Sequence, residues 1–400
     1  MLNPILKTNL EEGKKRSLCL YPFFNSMITA SGHYKPCCKF TGHLSHEGSL
    51  LQAPEHTFND AWKCSDIALL RQQLLNGQKP EGCRVCWDEE KQGIPSMRFD
   101  SFNYGVDSKR LVNISSPLRL DIYPSNICNL RCRICSPHYS SKWIQEAKET
   151  LNIKEEIHLN LTSENFSLLQ DWLPNVIEIG LFGGEPLFMK ETVAIMEYCR
   201  EQGFSRNITL LINTNGTVYS ERIMTLFKSF KRVILNFSID DIGKRFEYQR
   251  KNADWNEVVE NLEAYLKNGG GITEGDQIEC KICTTVSIFN VFYLPELLLW
   301  LAQNFPGIKV YLNMLHGPYQ LSVRNFPEHV KKPVEQKLFN FQLSEAQNKS
   351  YTIRTVNDVV EFLRLIPNLS FDQCLNEIKR GDNFREEKFE QTFPELAALL

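Results

Sequence analysis

Cys128, Cys132 and Cys135 form a C-x3-C-x2-C pattern on one short segment of the chain. Cysteine thiolates are ligands for iron–sulfur clusters and for zinc. Three thiolates can hold a cubane 4Fe–4S cluster and leave its fourth iron without a protein ligand, whereas a closed structural site uses four. An open iron can bind a substrate or cofactor, so the spacing favours chemistry over structural support. The alternatives are three unrelated buried cysteines or part of a zinc site.

A second motif follows downstream, where Gly183 and Gly184 precede Glu185 and Pro186 at the end of an apolar segment. Glycines lack side chains, so a ligand can approach their backbone closely, and Glu185 supplies a carboxylate. A tight turn between a strand and a helix is the structural alternative, because Gly-Gly is a common turn signal.

Together, the cysteine spacing and the Gly-Gly-Glu-Pro motif resemble the signature of the radical S-adenosylmethionine (SAM) enzymes. The resemblance implies that Cys128, Cys132 and Cys135 hold a 4Fe–4S cluster to which SAM binds through its amino and carboxylate groups. It implies reductive cleavage of SAM to a 5′-deoxyadenosyl radical, with a flavodoxin- or ferredoxin-type electron donor. Gly183–Pro186 would bind the amino group of SAM. Ile134 stands where the family usually has an aromatic residue near the adenine, and an aliphatic side chain can make that contact.

Polar residues also end later strands. Asn215 lies in a segment that resembles the family's Thr-Asn-Gly element, although a turn is an equal alternative. Ser238 and Asp240 stand at the end of the next strand, and the resemblance places Ser238 near the ribose and Arg250 near the methionine carboxylate. An arginine fork can bind a carboxylate bidentately. The alternatives are a helix N-cap for Asp240 and a surface position for Arg250.

The N-terminal region has a cysteine pattern of its own, which resembles the start of the SPASM domain and of its shorter relative, the twitch domain. The residues of this pattern are Cys19, Gly32, Cys37, Cys83 and Cys86. The region precedes the central motifs, as in radical SAM enzymes with an N-terminal twitch domain. Four thiolates would close one auxiliary 4Fe–4S cluster, and tetrahedral zinc is the alternative. Cys38 is an alternative ligand to Cys37.

Short apolar segments alternate with helical stretches from residue 118, which predicts a parallel sheet with crossover helices. The predicted strands are Leu118–Tyr123, Val176–Phe182, Ile208–Asn213, Arg232–Ile239, Glu279–Ser287 and Ile308–Met314. The predicted helices are Ser140–Leu151, Lys190–Gln202, Ser220–Phe230, Trp255–Asn268 and Leu294–Asn304. Six strands match the partial (β/α)6 TIM-like barrel that the resemblance implies, with the active site at the carboxyl ends of the strands. We expect a cysteine-rich metal-binding domain over 1–110, the barrel over 111–317 and a helical extension over 318–400, where no chemistry is evident.

Composition narrows the function classes. The 400 residues are 42% hydrophobic, and the net charge of −3 gives no strong positive field that would favour nucleic acids or anionic membranes. The first residues do not resemble a signal peptide, and no apolar run reaches membrane-spanning length. We therefore expect a cytoplasmic protein, whose 13 cysteines stay reduced.

These features predict an enzyme that abstracts a hydrogen atom from its substrate. The resemblance to SPASM and twitch enzymes suggests a peptide or protein substrate, and a small molecule such as a sugar or nucleoside is the second interpretation. A non-catalytic iron–sulfur or zinc-binding interaction protein is the alternative from another class. The sequence names no catalytic acid or base.

Overall fold

The computed structural model of the chain describes residues 17–91, 93, 96–103, 115–153, 172–345 and 353–400. The first residues of the chain and the predicted domain boundary near residue 110 lie outside this part. Its strands are β1 (Asn25–Ile28), β2 (Tyr34–Lys35), β3 (Ser45–His46), β4 (Ser49–Leu50), β5 (Arg119–Ile122), β6 (Arg131–Cys132), β7 (Glu178–Leu181), β8 (Thr209–Thr214), β9 (Arg232–Ser238), β10 (Arg250–Lys251), β11 (Ile278–Val286) and β12 (Lys309–Met314).

One eight-stranded sheet organises the fold, in the order β12-β11-β9-β8-β7-β5-β1-β2. Strands β5, β7, β8, β9, β11 and β12 are parallel and follow one another in chain order. Parallel neighbours need crossover connections, and helices between the strands supply them. The predicted α/β fold with a parallel sheet is confirmed, and all these strands end at the same edge.

The helices of the described part include the five predicted crossover segments, which the structure matches to within a few residues at their ends. They are α1 (Tyr21–Phe24), α2 (Phe58–Lys63), α3 (Ser65–Leu75), α4 (Arg84–Lys91), α5 (Met97–Asn103), α6 (Trp143–Leu151), α7 (Lys190–Glu201), α8 (Glu221–Phe227), α9 (Gly243–Gln249), α10 (Trp255–Lys267), α11 (Leu294–Asn304), α12 (Glu328–Glu345), α13 (Ile353–Leu363), α14 (Phe371–Arg385), α15 (Phe389–Thr392) and α16 (Pro394–Ala397).

Alternation along the strands separates two faces of the sheet. In β9, Val233, Leu235 and Phe237 are buried, and the Phe237 ring packs 5.5 Å from the ring of Tyr265 on α10. The intervening residues of β9 are partly buried and lie on the opposite face, which we call the inner face. Because side chains of a strand point alternately to its two faces, the core forms under the helices and the inner face remains accessible.

The N-terminal region contributes two strands to the same sheet. Strand β1 pairs in parallel with β5, with Asn25 opposite Arg119, and β2 pairs antiparallel with β1. The Asn25 amide donates to Asp121 Oδ2 across the β1–β5 boundary at 3.2 Å. The cysteine-rich region is therefore joined to the barrel by backbone hydrogen bonds, which the sequence did not indicate.

Helices α12 to α16 form the C-terminal part of the molecule, as the sequence predicted for this region. Helix α13 packs against α12 and against the edge strand β12. Among the described residues, no helix combines the length and the apolar character needed to cross a bilayer.

Candidate active site at the carboxyl ends of the strands

Residues 128–135, called the cysteine loop below, follow the carboxyl end of β5. Cys128 is 8% exposed. Burial, together with the neighbouring Cys132, raises the pKa of the Cys128 thiol to about 12. The pKa of Cys135 is raised by burial and by both other cysteines of the loop. The three thiols therefore lie close enough to repel one another as thiolates, and a bound metal cluster would relieve that repulsion.

Gly183 and Gly184 lie directly against the segment that leads into the cysteine loop. Gly184 N–H donates to Ser125 O at 3.2 Å. A Cβ on Gly183 would lie 2.4 Å from Ser125 O, and one on Gly184 would lie 2.0 Å from Ile127 O. Gly183 also has a φ of 115°, which favours glycine. We expected the glycines to admit a ligand, but in this structure the chain's own backbone makes the close approach.

Glu185 connects this motif to the next strand. Its Oε1 accepts hydrogen bonds from Leu187 N at 3.0 Å and from Thr214 Oγ1 at 2.8 Å. Its Oε2 accepts from Asn215 N at 2.6 Å. Burial raises the pKa of this carboxyl to about 7, against the lowering effect of its hydrogen bonds. A carboxylate has about four acceptor positions, so about one remains for a ligand.

Asn215 holds the cysteine loop from the end of β8. Its Nδ2 donates to Asn129 Oδ1 at 2.9 Å, and its Oδ1 accepts from Thr217 N and Thr217 Oγ1. Asn129 in turn donates to Thr217 Oγ1 at 2.7 Å. The side chain that resembles a SAM contact is thus engaged with a residue between Cys128 and Cys132, so it positions the loop.

Arg250 meets the cysteine loop from β10, which pairs antiparallel with β6 so that Arg250 lies opposite Cys132. Its Nε and Nη2 donate to Asp240 Oδ2 at 2.9 and 2.6 Å. Its Nη1 donates to Cys132 Sγ at 3.6 Å. Asp240 is held in turn by Thr285 N at 2.8 Å. We expected the Arg250 guanidinium to bind a ligand carboxylate. Two of its nitrogens are instead occupied by Asp240, and the third, Nη1, faces the Cys132 sulfur.

The remaining predicted residues surround this arrangement. Ser238 is the last residue of β9 and lies opposite Cys283 of β11, on the inner face. Ile134 is partly buried and packs against the core. Pro186 is buried and begins a single 3-10 turn that ends at Phe188. The residues of both central motifs thus gather at one edge of the sheet.

A profile of the radical SAM superfamily matches residues 122–276, which span β7 to β10 and the cysteine loop. The chain contains a radical SAM domain. Its cysteine loop, Gly-Gly-Glu-Pro motif and Asp240–Arg250 pair all lie within the matched residues.

The curated relatives are similar to this chain over part of their length. GTP 3′,8-cyclase 3 of Mycobacterium bovis is 29% identical over 164 residues, which are 40% of this chain and 40% of that protein. GTP 3′,8-cyclase of Syntrophomonas wolfei is 27% identical over 144 residues, 34% of this chain and 38% of that protein. The match therefore spans about two fifths of the relatives' own length.

Solved structures with similar folds include two SAM-bound proteins. The structure of anSMEcpe with bound AdoMet has a TM-score of 0.43 and 20% identity, over 58% of this chain and 62% of that chain. Streptococcus suis SuiB bound to S-adenosylmethionine has a TM-score of 0.40 and 14% identity, over 71% of this chain and 65% of that chain.

A cavity of about 950 Å³ opens on the inner face of the radical SAM domain and extends to the edge strand β12. Aromatic side chains, Tyr123, Phe182 and Tyr311, line it together with the amides of Asn213 and Asn236. Asn236 Nδ2 donates to Asn213 Oδ1 at 2.9 Å. The volume of this cavity, called the inner cavity below, lies in the usual range for ligand sites, about 300–1,000 Å³.

The N-terminal cysteines also converge. Burial raises the pKa of Cys19 to about 12, with further repulsion from Cys83 and Cys86. The pKa of Cys37 is raised by burial and by the charges of Cys38, Cys19, Cys86 and Cys83. These four predicted ligands are therefore near enough in space to raise one another's pKa, as the three cysteines of the cysteine loop are. Among the described residues, no three His, Cys, Asp or Glu side chains are placed to hold a single metal ion.

Cys38 and Cys37 differ in their surroundings. Cys38 lines the inner cavity, and its Sγ lies 3.5 Å from Met97 Sδ. The pKa of Cys37 is instead raised by burial and by the charges of the other N-terminal cysteines. Cys283 also lines the cavity, whereas Cys280 is fully buried on the other face of β11, because residues three apart on a strand point to opposite faces.

The C-terminal helices contain site residues that the sequence analysis missed. Arg133 of the cysteine loop is 4% exposed, and its Nη2 lies 2.5 Å from Asp382 Oδ1 and 2.7 Å from Glu387 Oε2. Arg385 donates to Arg131 O at 2.9 Å and to Glu146 Oε2 at 2.9 Å. The signal was the pair of arginines on either side of Cys132, since two cations in a buried loop need counter-charges.

Proposed function

We propose that this protein is a radical SAM enzyme that removes a hydrogen atom from a substrate held in the inner cavity. The observation that supports this most strongly is the meeting of three mutually repelling thiols with the Gly183–Pro186 motif at one sheet edge. A 4Fe–4S cluster and SAM bound there would supply a 5′-deoxyadenosyl radical when an external one-electron donor, such as a flavodoxin or ferredoxin, reduces them.

The chain's own residues would hold, orient and shield these groups. Cys128, Cys132 and Cys135 would be the iron ligands, because cysteine thiolates hold the irons of a cubane cluster. Glu185 keeps about one free acceptor position, which suits a cationic amino group. The buried surroundings of the loop exclude water from a reactive radical.

The inner cavity is the proposed place of the reacting group. It lies on the face where Ser238 ends β9, so a substrate bound there would adjoin the cysteine loop's edge of the sheet. Aromatic rings would pack on the substrate, and the Asn213–Asn236 amide pair keeps donors and an acceptor for its polar groups.

A peptide or protein substrate is the first candidate. The N-terminal cysteine pattern supports it, because the SPASM and twitch enzymes that it resembles include many peptide modifiers. In this case the cavity would take one amino-acid side chain, and the rest of the peptide would lie outside.

A small molecule is the second candidate, and two findings favour it. The cavity has the volume of a small-ligand site. The curated relatives at 29% and 27% identity are named for an enzyme that acts on GTP. A nucleotide or a related polar molecule would then fill the cavity entirely.

We also propose that Cys19, Cys37, Cys83 and Cys86 hold an auxiliary 4Fe–4S cluster in a twitch-like domain. Their mutual repulsion supports the shared site. Tetrahedral zinc, which also accepts four cysteine ligands, is the alternative to this auxiliary cluster. Such a cluster would accept an electron from the substrate, bind the substrate, or stabilise the domain.

Anaerobic reconstitution with iron and sulfide tests these proposals. Two cubanes predict about eight irons per chain, and replacing Cys128, Cys132 and Cys135 with alanine should leave about four. The wild type should release 5′-deoxyadenosine from SAM under reducing conditions, and the triple variant should not. Cys199→Ala and Cys374→Ala remove buried thiols outside both groups and should keep both clusters.

Each proposal has its own contrary result. Iron binding without any deoxyadenosine would favour the non-catalytic interaction protein. Zinc in place of the auxiliary irons would remove the second cluster but leave the radical SAM assignment. Adding nucleotides or tryptic peptides and measuring the rate of deoxyadenosine release would separate the two substrate classes.

A further inference from the structure

Arg250 contacts the cysteine loop in a way that the family resemblance does not explain. We propose that Arg250 sets the reduction potential of the cluster held by the cysteine loop, and that Asp240 is the positioning residue that directs it. The inference rests on the proposed function, because it needs a cluster on Cys128, Cys132 and Cys135.

Backbone pairing fixes the distance between this cation and the sulfur. Arg250 lies opposite Cys132 in the two-stranded β10–β6 sheet, so their positions do not depend on a flexible loop. The Arg250 side chain is buried, with 7% of the residue exposed, and its Nη1 donates to Cys132 Sγ at 3.6 Å. A hydrogen bond to a ligand sulfur is one of the features that set cluster potentials.

Asp240 determines which guanidinium nitrogen faces the sulfur. It takes Nε and Nη2 through one oxygen, and its other oxygen accepts from Thr285 N. With Nε and Nη2 occupied, Nη1 is directed to Cys132. Asp240 also offsets part of the arginine charge, so the two residues act on the cluster in opposite senses.

The other arginines near the loop have different partners. Arg133 is held by Asp382 and Glu387, and Arg131 lies 3.4 Å from Glu146. Cys128 Sγ accepts from the backbone N–H of Leu130 at 3.4 Å. Arg250 is therefore the cation whose removal would change the donor set of a loop sulfur most directly.

A positive donor stabilises the reduced, more negative cluster, so losing it should make reduction harder. We expect Arg250→Gln to lower the equilibrium constant for one-electron reduction about tenfold, which is a shift of about 59 mV to more negative potential. Arg250→Lys keeps the charge and should shift less. Asp240→Asn removes the opposing carboxylate and should shift the potential to more positive values.

The test is a redox titration of the reconstituted protein, followed by electron paramagnetic resonance in the absence of SAM. The signal of the cysteine-loop cluster is the one missing from the Cys128/Cys132/Cys135 alanine variant, and the remaining signal is an internal reference. Arg245→Gln is the matched control, because Arg245 pairs with Asp241 and Glu296 and should leave both potentials unchanged.

Opposite shifts in the Arg250 and Asp240 variants, at unchanged iron content, would establish the proposal. An unchanged potential in both variants would overturn it, and a weaker affinity for SAM alone would assign Arg250 to the methionine carboxylate instead. If the wild type binds no cluster at the cysteine loop, the proposed function fails before this inference is reached.

Discussion

Replacing both carboxylates that hold Arg133 should destabilise the cysteine loop more than any exposed substitution. The double variant Asp382→Asn with Glu387→Gln leaves a guanidinium that is 4% exposed without its two counter-charges. An uncompensated buried charge costs about 3–5 kcal/mol. Because typical domains unfold with about 5–15 kcal/mol, the free energy of unfolding should fall by roughly a fifth or more.

The two single variants should differ from each other in how much stability they lose. Asp382 also accepts from Tyr248 Oη and from Phe389 N, both at 2.7 Å, so Asp382→Asn should cost more than Glu387→Gln. Each single variant keeps one carboxylate on Arg133 and should cost about 1.5–3 kcal/mol, the value of hydrogen bonds to charged groups. The double variant, at about 3–5 kcal/mol, should therefore lose about as much as the two singles together.

Urea unfolding followed by circular dichroism, with iron counted after anaerobic reconstitution, measures both effects. Glu377→Gln is the matched control, since Glu377 pairs with Arg380 on the same helix α14 without reaching the cysteine loop. It should cost about 1 kcal/mol or less and keep the iron. A double variant that loses less than about 1 kcal/mol and binds full iron would show that α14 does not anchor the loop.

The remaining predictions concern the Gly-Gly-Glu-Pro motif. The pKa of Glu185 is raised from 4.5 to about 7 in the native state. Between these two pH values the native state keeps a proton that the unfolded state loses. The free energy of unfolding should therefore fall by about 3 kcal/mol as the pH rises through this range. Glu185→Gln removes this dependence, and the stability of the wild type relative to the variant should fall by that amount between pH 4.5 and 7.5 in urea unfolding. A constant difference would mean an ordinary pKa. Gly184→Ala should abolish iron binding at the cysteine loop, because its Cβ would lie 2.0 Å from Ile127 O. A Cβ on Gly42 meets Phe40 at 3.6 Å, so Gly42→Ala should bind iron normally. Equal iron in both variants would refute the close packing of the motif on the loop.

Most of the central fold could be read from local patterns. Strand β9 alternates buried and partly buried residues over Arg232–Ser238, and α10 begins at Trp255 after the N-cap Asp254, so period and capping mark both elements. Strand β1 was not predicted, because all four of its residues are buried and the strand shows no alternation. Its partner β5 lies far along the chain, and strand pairing over such a separation leaves no local signal.

Part of the candidate site could likewise be predicted from the sequence, and part could not. A parallel sheet brings the ends of its strands to one edge, so the gathering of Cys128, Glu185 and Asp240 there follows from topology. What each polar group contacts does not follow, because it depends on side-chain directions across several elements. Glu185 and Asn215 resembled ligand contacts, yet the structure shows each bound to a neighbouring segment of the protein.

The pairing of β1 with β5 has a consequence for dissecting the molecule. A fragment that starts at Pro117 would carry the whole profile-matched region but would strip the partner from Arg119–Ile122. Its unpaired amides and carbonyls would then template pairing with other chains. Fragments for biophysical work should therefore retain residues 25–35, and an insoluble short version would say nothing about the catalytic capacity of the barrel.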